Sequence, residues 1–449
     1  MGKFRNRLLD IPVSIGESPS RKRILFIGEA VSMSHVARPV VLAKWAKEAG
    51  YAVVFACGKS YCHVAMAEGF QPEDITTIPS ELFYKRLFRG QFFYTKAELE
   101  TYVEAERSLI SRIKPDLVVG DFRLTLELST HLTGIPYLNL MNAHWSPGRK
   151  RRLPPPRGGI FGLMPPMVRN TLFRMIEPIA FKQFGKPLDC VRRQYGLPEL
   201  GDFRRHYTAG TWCGYMDLPS LVEVASLPKN HSYIGPVIWK PFGMPFPSDT
   251  TEKSNSRRKH AYVSMGTSGD NGLLPAILKA LTAHDFSIVL SGISLSEEAG
   301  LRTEVKGLSG RCIAAPFFDP DEILQSATLT VCHGGSGTVY QSLKAGVPVL
   351  AIPANPDQTL VSESVEEKGC GILLDSSRAN VQRISEAISE LTTGNRYQKG
   401  ARALSEAIQR WDTQSVWLGL LHRVFPHADR SAEKLAAKRA RASERTRIR

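Results

Sequence analysis

The sequence predicts an α/β protein of two domains, each built on a parallel sheet, with the two sheets facing a central cleft. Three observations predict it. Short β-type apolar runs alternate with helical-period segments through most of the 449 residues, which is the pattern of βαβ units. The alternation stops in a stretch rich in Pro, Gly, Ser and charge and then restarts. The length, at roughly 100–200 residues per domain, accommodates two or three domains.

In chain order, ILFIG at 24–28 precedes a helical segment, HVARPVVLAKWAKEAG, and the runs YAVVFAC at 51–57, DLVVGD at 116–121 and IPYLNLM at 135–141 follow. The second half supplies AYVSMG at 261–266, FSIVLSG at 286–292, RCIAAPF at 311–317, LTVCHGG at 329–335 and PVLAIP at 348–353. The expected division is a flexible segment 1–21, a first domain 22–240, a linker 241–259, a second domain 260–405, a C-terminal helix 406–428 packing back toward the first domain, and a disordered basic tail 429–449. Ligands of open α/β sheets bind at the carboxyl ends of the strands, so the cleft between the domains is the expected site.

Composition narrows the class. The hydrophobic share is 43 % and the charged share 22 %, ordinary for a globular protein. No apolar run approaches the ~18–20 residues that span a bilayer. The first twenty residues lack the apolar centre of a secretory signal, so the expected location is cytoplasmic. The seven cysteines, at 57, 62, 190, 213, 312, 332 and 370, are odd in number and form no CxxC. They indicate neither a disulfide framework nor a zinc site.

The net charge of +15 is local. Residues 1–23 carry +4, residues 430–449 carry +6 and residues 145–193 carry +9, which leaves the rest of the chain at −4. The internal basic stretch interleaves Arg and Lys with Phe, Leu, Met and Ile, as does FYKRLFRGQFFYT near residue 90. Such mixtures suit an anionic membrane surface touched peripherally on its inner face, and equally a cover over an apolar acceptor pocket. Nucleic acid is excluded as a partner: no recognised module is present, and proline and bulky aliphatics interrupt the cations.

The strongest local signal is VCHGGSGTVYQSLKAGVPVLAIPANPDQ, 331–358. Its glycines follow a strand and open a helix. Free backbone N–H groups and the positive end of the helix dipole then point at one spot, where a diphosphate fits. Gly335 and Gly337 let the backbone approach phosphate oxygens. Ser336 and Thr338 add hydroxyl donors, and His333 can donate to a phosphate oxygen. Charge on a leaving diphosphate would be stabilised without a metal, and no acidic cluster with metal-ligand spacing accompanies the loop. Asp357 and Gln358 return to the same sheet edge with groups suited to sugar hydroxyls, although Asp357 also fits a plain helix cap.

His35 lies just past the first strand, at the mouth of the expected cleft. Histidine suits removal of a hydroxyl proton because its ordinary pKa lies near neutrality. The bland alternative is a cap or surface residue. His144, in NAHWSP after another strand, is a candidate on the acceptor side.

The segment 331–358 resembles the donor-binding signature of the UDP-glycosyltransferase superfamily: HGG-x-G-T, an L-x-x-G-x-P step, a proline after the next strand and a closing Asp-Gln. The strand pattern extends the resemblance over about residues 22–425. The resemblance implies the GT-B fold, two Rossmann-like domains, and transfer of a hexosyl unit from a nucleoside-diphosphate sugar, UDP-sugar first, to a hydroxyl of a small or lipophilic acceptor. The nucleotide-sugar is a co-substrate; no cofactor and no metal are implied. His333 would contact the diphosphate, Gly337 and Thr338 would border it, and Asp357 with Gln358 would hold the sugar. YVSMGTSG resembles a phosphate-side loop carrying Gly266 and Thr267. APFFDPDEIL resembles the base-binding segment, with Phe317 or Phe318 beside the uracil. A His followed by a Pro, here His35 and Pro39, is where the family carries its general base, and Asp121 matches its acidic partner. Asp116, at the opposite end of that strand, is the weaker match. One departure is Gln341, where many members have the Glu that binds ribose. Two other functions stay open: a sugar-nucleotide epimerase of the same fold, and a non-catalytic homologue that acts as a binding or activating partner.

Overall fold

The computed structural model describes residues 22–150, 153, 155, 164–240, 258–266, 268–292, 299–308 and 310–425. The expected flexible segment 1–21, residues 241–257 of the expected linker, Thr267 and the expected tail 429–449 lie outside the described residues.

Two parallel sheets organise the chain. The first contains β1 (Arg23–Gly28), β2 (Ala52–Cys57), β3 (Glu73–Asp74), β4 (Leu117–Asp121), β5 (Tyr137–Met141), β6 (Trp212–Tyr215) and β7 (His231–Tyr233). Their order across the sheet is β3-β2-β1-β4-β5-β6-β7. The second contains β8 (Lys259–Ser264), β9 (Phe286–Ser291), β10 (Cys312–Ala315), β11 (Ala327–Cys332), β12 (Val349–Ala351) and β13 (Gly371–Leu373), in the order β10-β9-β8-β11-β12-β13. Four short strands, β3, β6, β7 and β13, have no sustained apolar run of their own; their neighbours recruit them as the outer part of each sheet.

The sequence logic of β1 is visible in its packing. Ile24, Leu25, Phe26 and Ile27 are all fully buried, as expected where both faces of a parallel sheet are covered. Alternation divides them between two cores. Ile24 and Phe26 pack with Val36, Val119, Leu138 and Trp417. Leu25 and Ile27 pack with Ile110, Val118, Leu126 and Tyr137. The helix Thr413–Val424 returns to this first lobe, where the Trp417 indole donates to the Leu42 carbonyl at 3.1 Å. The preceding helix, Arg396–Gln409, packs with the second lobe through Ala401, Leu404 and Ile408.

Strand order reverses at one place in each sheet. In the first sheet it lies between β1 and β4, where Gly28 pairs with Asp121. In the second it lies between β8 and β11, where Ser264 pairs with Cys332. Such switch points are where open α/β sheets bind ligands.

Candidate functional site

The first lobe's switch point carries an imidazole, a carboxylate and a guanidinium. His35 sits in the first turn of the helix Ser34–Glu48. Pro39 lies four residues on and has no N–H to return to the His35 carbonyl. The end of β1 abuts that turn: a Cβ on Gly28 would lie 2.8 Å from the His35 carbonyl oxygen. His35 Nδ1 is 2.9 Å from Asp121 Oδ1, and Asp121 is fully buried. Asp116, by contrast, stands at the other end of β4, bound by Lys22 and the Arg23 backbone.

Sequence reasoning overlooked Arg38. Its Nε donates to Asp121 Oδ2 and its Nη2 to Asp121 Oδ1, both at 2.9 Å. Its Nη1 donates to Asn142 Oδ1 at 2.6 Å. Burial opposes the Arg38 charge, but the adjacent Asp121 outweighs it, and the guanidinium holds its proton more tightly than usual.

The turn after β4 aims three consecutive side chains. Asp121 faces His35. Phe122 adopts φ 58°, an outlier for a bulky residue, and its ring lies parallel to the His35 imidazole, 4.6 Å between centroids. Arg123 points into the interior, where Nε donates to Glu106 at 2.6 Å and Nη1 to Glu29 at 2.8 Å. Its guanidinium also lies 3.8 Å over the Tyr102 ring. These buried ion pairs anchor the turn, so the unusual backbone at Phe122 persists.

In the second lobe, the helix Ser336–Lys344 opens at Gly335 without a side-chain cap. Its first N–H groups therefore remain available to a ligand. Gly334 has φ 78°, and a Cβ there would meet Ser362 Oγ at 2.2 Å; only glycine fits. His333 is buried, with Nδ1 in a long 3.4 Å contact to the Ser264 carbonyl. Burial lowers its pKa and keeps it neutral. A proton on Nδ1 leaves Nε2 an acceptor, so donation to a phosphate oxygen requires a further proton on Nε2.

A cleft of about 860 Å³ joins the lobes. It is lined by His35, Gly266, Phe317, Phe318, His333 and Gly335–Thr338, and also by Gln341, Asp357 and Gln358. The two phenylalanines differ. Phe318 is 3 % exposed and packs with Tyr262, Val289 and Ile323, whereas Phe317 is only partly buried and is the freer ring. Gln341 Nε2 donates to the Trp239 carbonyl at 3.1 Å. The Gln358 side chain joins two loops: Oε1 accepts from the Ala354 N–H, and Nε2 donates to the carbonyl and hydroxyl oxygens of Ser268.

Asp357 is where the lobes meet. Its Oδ1 is 2.9 Å from His144 Nε2 and accepts from the Trp145 indole at 2.7 Å. His144 is thus buried behind a carboxylate of the other lobe. Nearly half of the Asp357 side chain faces the cleft, yet protein surrounds it on both sides. Burial favours its acid form, but His144, Trp145 and His35 prevail and hold the carboxyl well below the usual range. A second crossing joins Tyr340, on the Ser336–Lys344 helix, to Asp217 Oδ1 at 2.9 Å. Among the described residues, no group of three or more His, Cys, Asp or Glu is placed to hold a metal ion.

Residues 276–411 match the family model described as Erythromycin biosynthesis protein CIII-like, C-terminal domain. The chain is 36 % identical over 397 residues to the PGL/p-HBAD biosynthesis glycosyltransferase of Mycobacterium tuberculosis (strain ATCC 25177 / H37Ra), covering 86 % of this chain and 89 % of the relative. The chain belongs to the UDP-glycosyltransferase superfamily. This glycosyltransferase is also 37 % identical over 396 residues to the PGL/p-HBAD biosynthesis rhamnosyltransferase of Mycobacterium bovis (strain BCG / Pasteur 1173P2), covering 88 % of this chain and 86 % of that one. The solved structure of the spinosyn rhamnosyltransferase SpnG complexed with thymidine diphosphate superimposes with a TM-score of 0.64 at 18 % identity, covering 89 % of this chain and 100 % of that chain. The superposition shows the GT-B fold. Of the three functions left open by the sequence, transfer is the one named for these two relatives, which match over most of the chain.

Sequence reasoning missed Arg38, Phe122, Asn142, Trp145, Asp217 and Tyr340 in this glycosyltransferase. Only Trp145 had a local signal, its adjacency to His144.

Proposed function

We propose that this glycosyltransferase moves a hexosyl unit from a uridine or thymidine diphosphate sugar to a hydroxyl of a lipophilic acceptor, with inversion at the anomeric carbon. The carrying observation is that His35, backed by Asp121, and the uncapped helix start at Gly335 line the same cleft. In this reading His35 Nε2 takes the acceptor proton. The hydroxyl oxygen bonds to the anomeric carbon as the bond to the diphosphate breaks, and the diphosphate keeps the electron pair. One displacement inverts the centre. The imidazolium is stabilised by Asp121, and the leaving group by the backbone N–H groups of Gly335–Thr338 with His333. Asp357 is placed to hold sugar hydroxyls, and Phe317 to stack on the base. Two things support the nucleotide and the sugar: the thymidine diphosphate in the SpnG structure, and the rhamnosyltransferase among the relatives.

A thermal-shift screen of nucleoside diphosphates tests the donor side. At 100-fold over Kd, a ligand of the folded state adds about 2.7 kcal/mol of apparent stability. Because burial lowers the pKa of free His333 and a bound diphosphate raises it, binding takes up a proton. The shift is therefore expected to be larger at pH 6 than at pH 8, and His333→Gln should flatten that difference. No shift with either diphosphate would count against the reading.

The acceptor side of the cleft is aromatic, walled by Phe83, Phe93, Phe122, Phe184, Phe203 and Tyr207. The helix Pro166–Gln194 contributes Phe173, Phe181 and Phe184 to that wall. Its outer face exposes Met167 at 82 %, Met175 at 70 % and Ile179 at 69 %, among the exposed cations Arg174, Lys182 and Lys186. Apolar side chains ringed by cations fit an anionic bilayer, which would bring a lipophilic acceptor to the cavity wall. Co-sedimentation with vesicles of phosphatidylglycerol and phosphatidylcholine at low salt is expected, and the pair Met175→Ser with Ile179→Ser should reduce it several-fold. If the protein stays in the supernatant at low salt, the membrane part of the proposal is wrong.

A further inference from the structure

Asp121 has two claimants, and the second lobe holds one of them. The bidentate fork of Arg38 occupies both carboxylate oxygens, which fixes the carboxylate plane. Oδ1 is thereby presented to His35 Nδ1 at 2.9 Å. Arg38 Nη2 itself lies 3.0 Å from that same nitrogen. A guanidinium cannot accept a hydrogen bond, so Nδ1 has two choices. It can carry the proton and donate to Asp121, which leaves Nε2 bare. Or it can accept from Arg38, which puts the ring proton on Nε2 and disarms the base.

The guanidinium is not free to drift. Nη1 donates to Asn142 Oδ1, Asn142 Nδ2 reaches Asp217 at 3.3 Å, and Asp217 accepts from Tyr340. Tyr340 belongs to the helix whose start forms the glycine cradle. A chain of hydrogen bonds thus runs from the donor-side helix to the ring of His35.

We infer that Arg38 is a positioning residue that fixes Asp121 to receive the His35 proton on Nδ1 and opposes positive charge on the ring, and that the donor lobe holds it in place through Asn142, Asp217 and Tyr340. The inference rests on the reading of His35 as the base. Its physics is a charge balance. Without Arg38, the buried Asp121 would draw a second proton onto the imidazole. With Arg38, the carboxylate still accepts from Nδ1, but a cation in contact opposes imidazolium formation. The other titratable groups at this end of the cleft are Asp357, Tyr84 and Tyr207, with His144 behind Asp357. Only Asp357 among them adds negative charge at neutral pH, and His144 and Trp145 already engage it.

The test follows His35 directly by imidazole nitrogen NMR in the full-length protein, alongside the pH profile of kcat/KM. In Arg38→Met, with the neighbouring cation gone, the His35 nitrogen titration is expected to move to higher pH, and the acidic limb of kcat/KM should move with it. Arg38→Lys restores the charge without the fork and should recover part of the shift. Tyr340→Phe releases the far end of the chain and should give a smaller shift of the same sign. Should Arg38→Met fail to fold, Asn142→Ala carries the test. An unmoved His35 titration in whichever of these two folds overturns the inference, whatever the activity. Wild-type turnover in His35→Ala would instead overturn the base reading, a separate outcome.

Discussion

Alanine at position 35 is expected to lower kcat by about 10²–10⁴-fold, the usual range for loss of a general base, while nucleotide affinity stays within about twofold. The asymmetry follows from position. His35 belongs to the first lobe, and the glycine cradle, His333 and Gln341 belong to the second. The imidazole is also held for one task. Asp121 engages Nδ1, Phe122 covers one face, and the helix Ser34–Glu48 carries the backbone. Truncation would leave Asp121 still satisfied by Arg38, so the fold should tolerate the change. Single-turnover kinetics paired with calorimetric titration of the diphosphate separates the two quantities. Equal losses in turnover and in binding would mean that His35 shapes the donor site and does not act as the base.

Arg123→Met should destabilise the protein by about 3–5 kcal/mol, the typical result of removing one partner from a buried ion pair. Arg123, Glu29 and Glu106 have no exposed side-chain surface. Burial already raises the pKa of Glu29 although Arg123 opposes it. Without the guanidinium, the buried Glu29 carboxyl would favour its acid form more strongly still in the folded state. A folded-state pKa above the unfolded value gives stability that is present at low pH and lost as pH rises. The variant should therefore regain stability on acidification from pH 7 toward pH 5, visible as a rising urea midpoint. A midpoint unchanged from wild type at pH 7 would show that the triad is not what secures the turn at Phe122.

Much of this architecture is legible in the sequence because it depends on local pattern. Runs such as 24–28 and 116–121 read as buried strands, and the glycines after 331 read as a helix opening toward an anion. His35 and Asp121 are 86 residues apart, yet each follows or ends a strand, so topology alone brings them together. Arg38 was not legible. A cation on a helix usually reads as a solvated face, and its burial depends on Asp121 and Asn142, from 83 and 104 residues away. The left-handed backbone at Phe122 has no sequence signature either, since bulky residues normally avoid it. Asp217 and Tyr340 meet only because two lobes dock. Phe317 and Phe318 are chemically equivalent in sequence; the direction of the chain leaving β10 decides which one enters the core.

The return of the helix Thr413–Val424 to the first lobe sets an order for biogenesis. Trp417 fills the core beneath β1 and bonds to Leu42, 375 residues earlier. The amino-terminal sheet therefore waits, with an open seam, until the second sheet has been synthesised and residue 417 has left the ribosome. Loop closure over that span is slow. A premature stop near residue 410 would leave the second sheet whole and injure the half of the molecule that was made first.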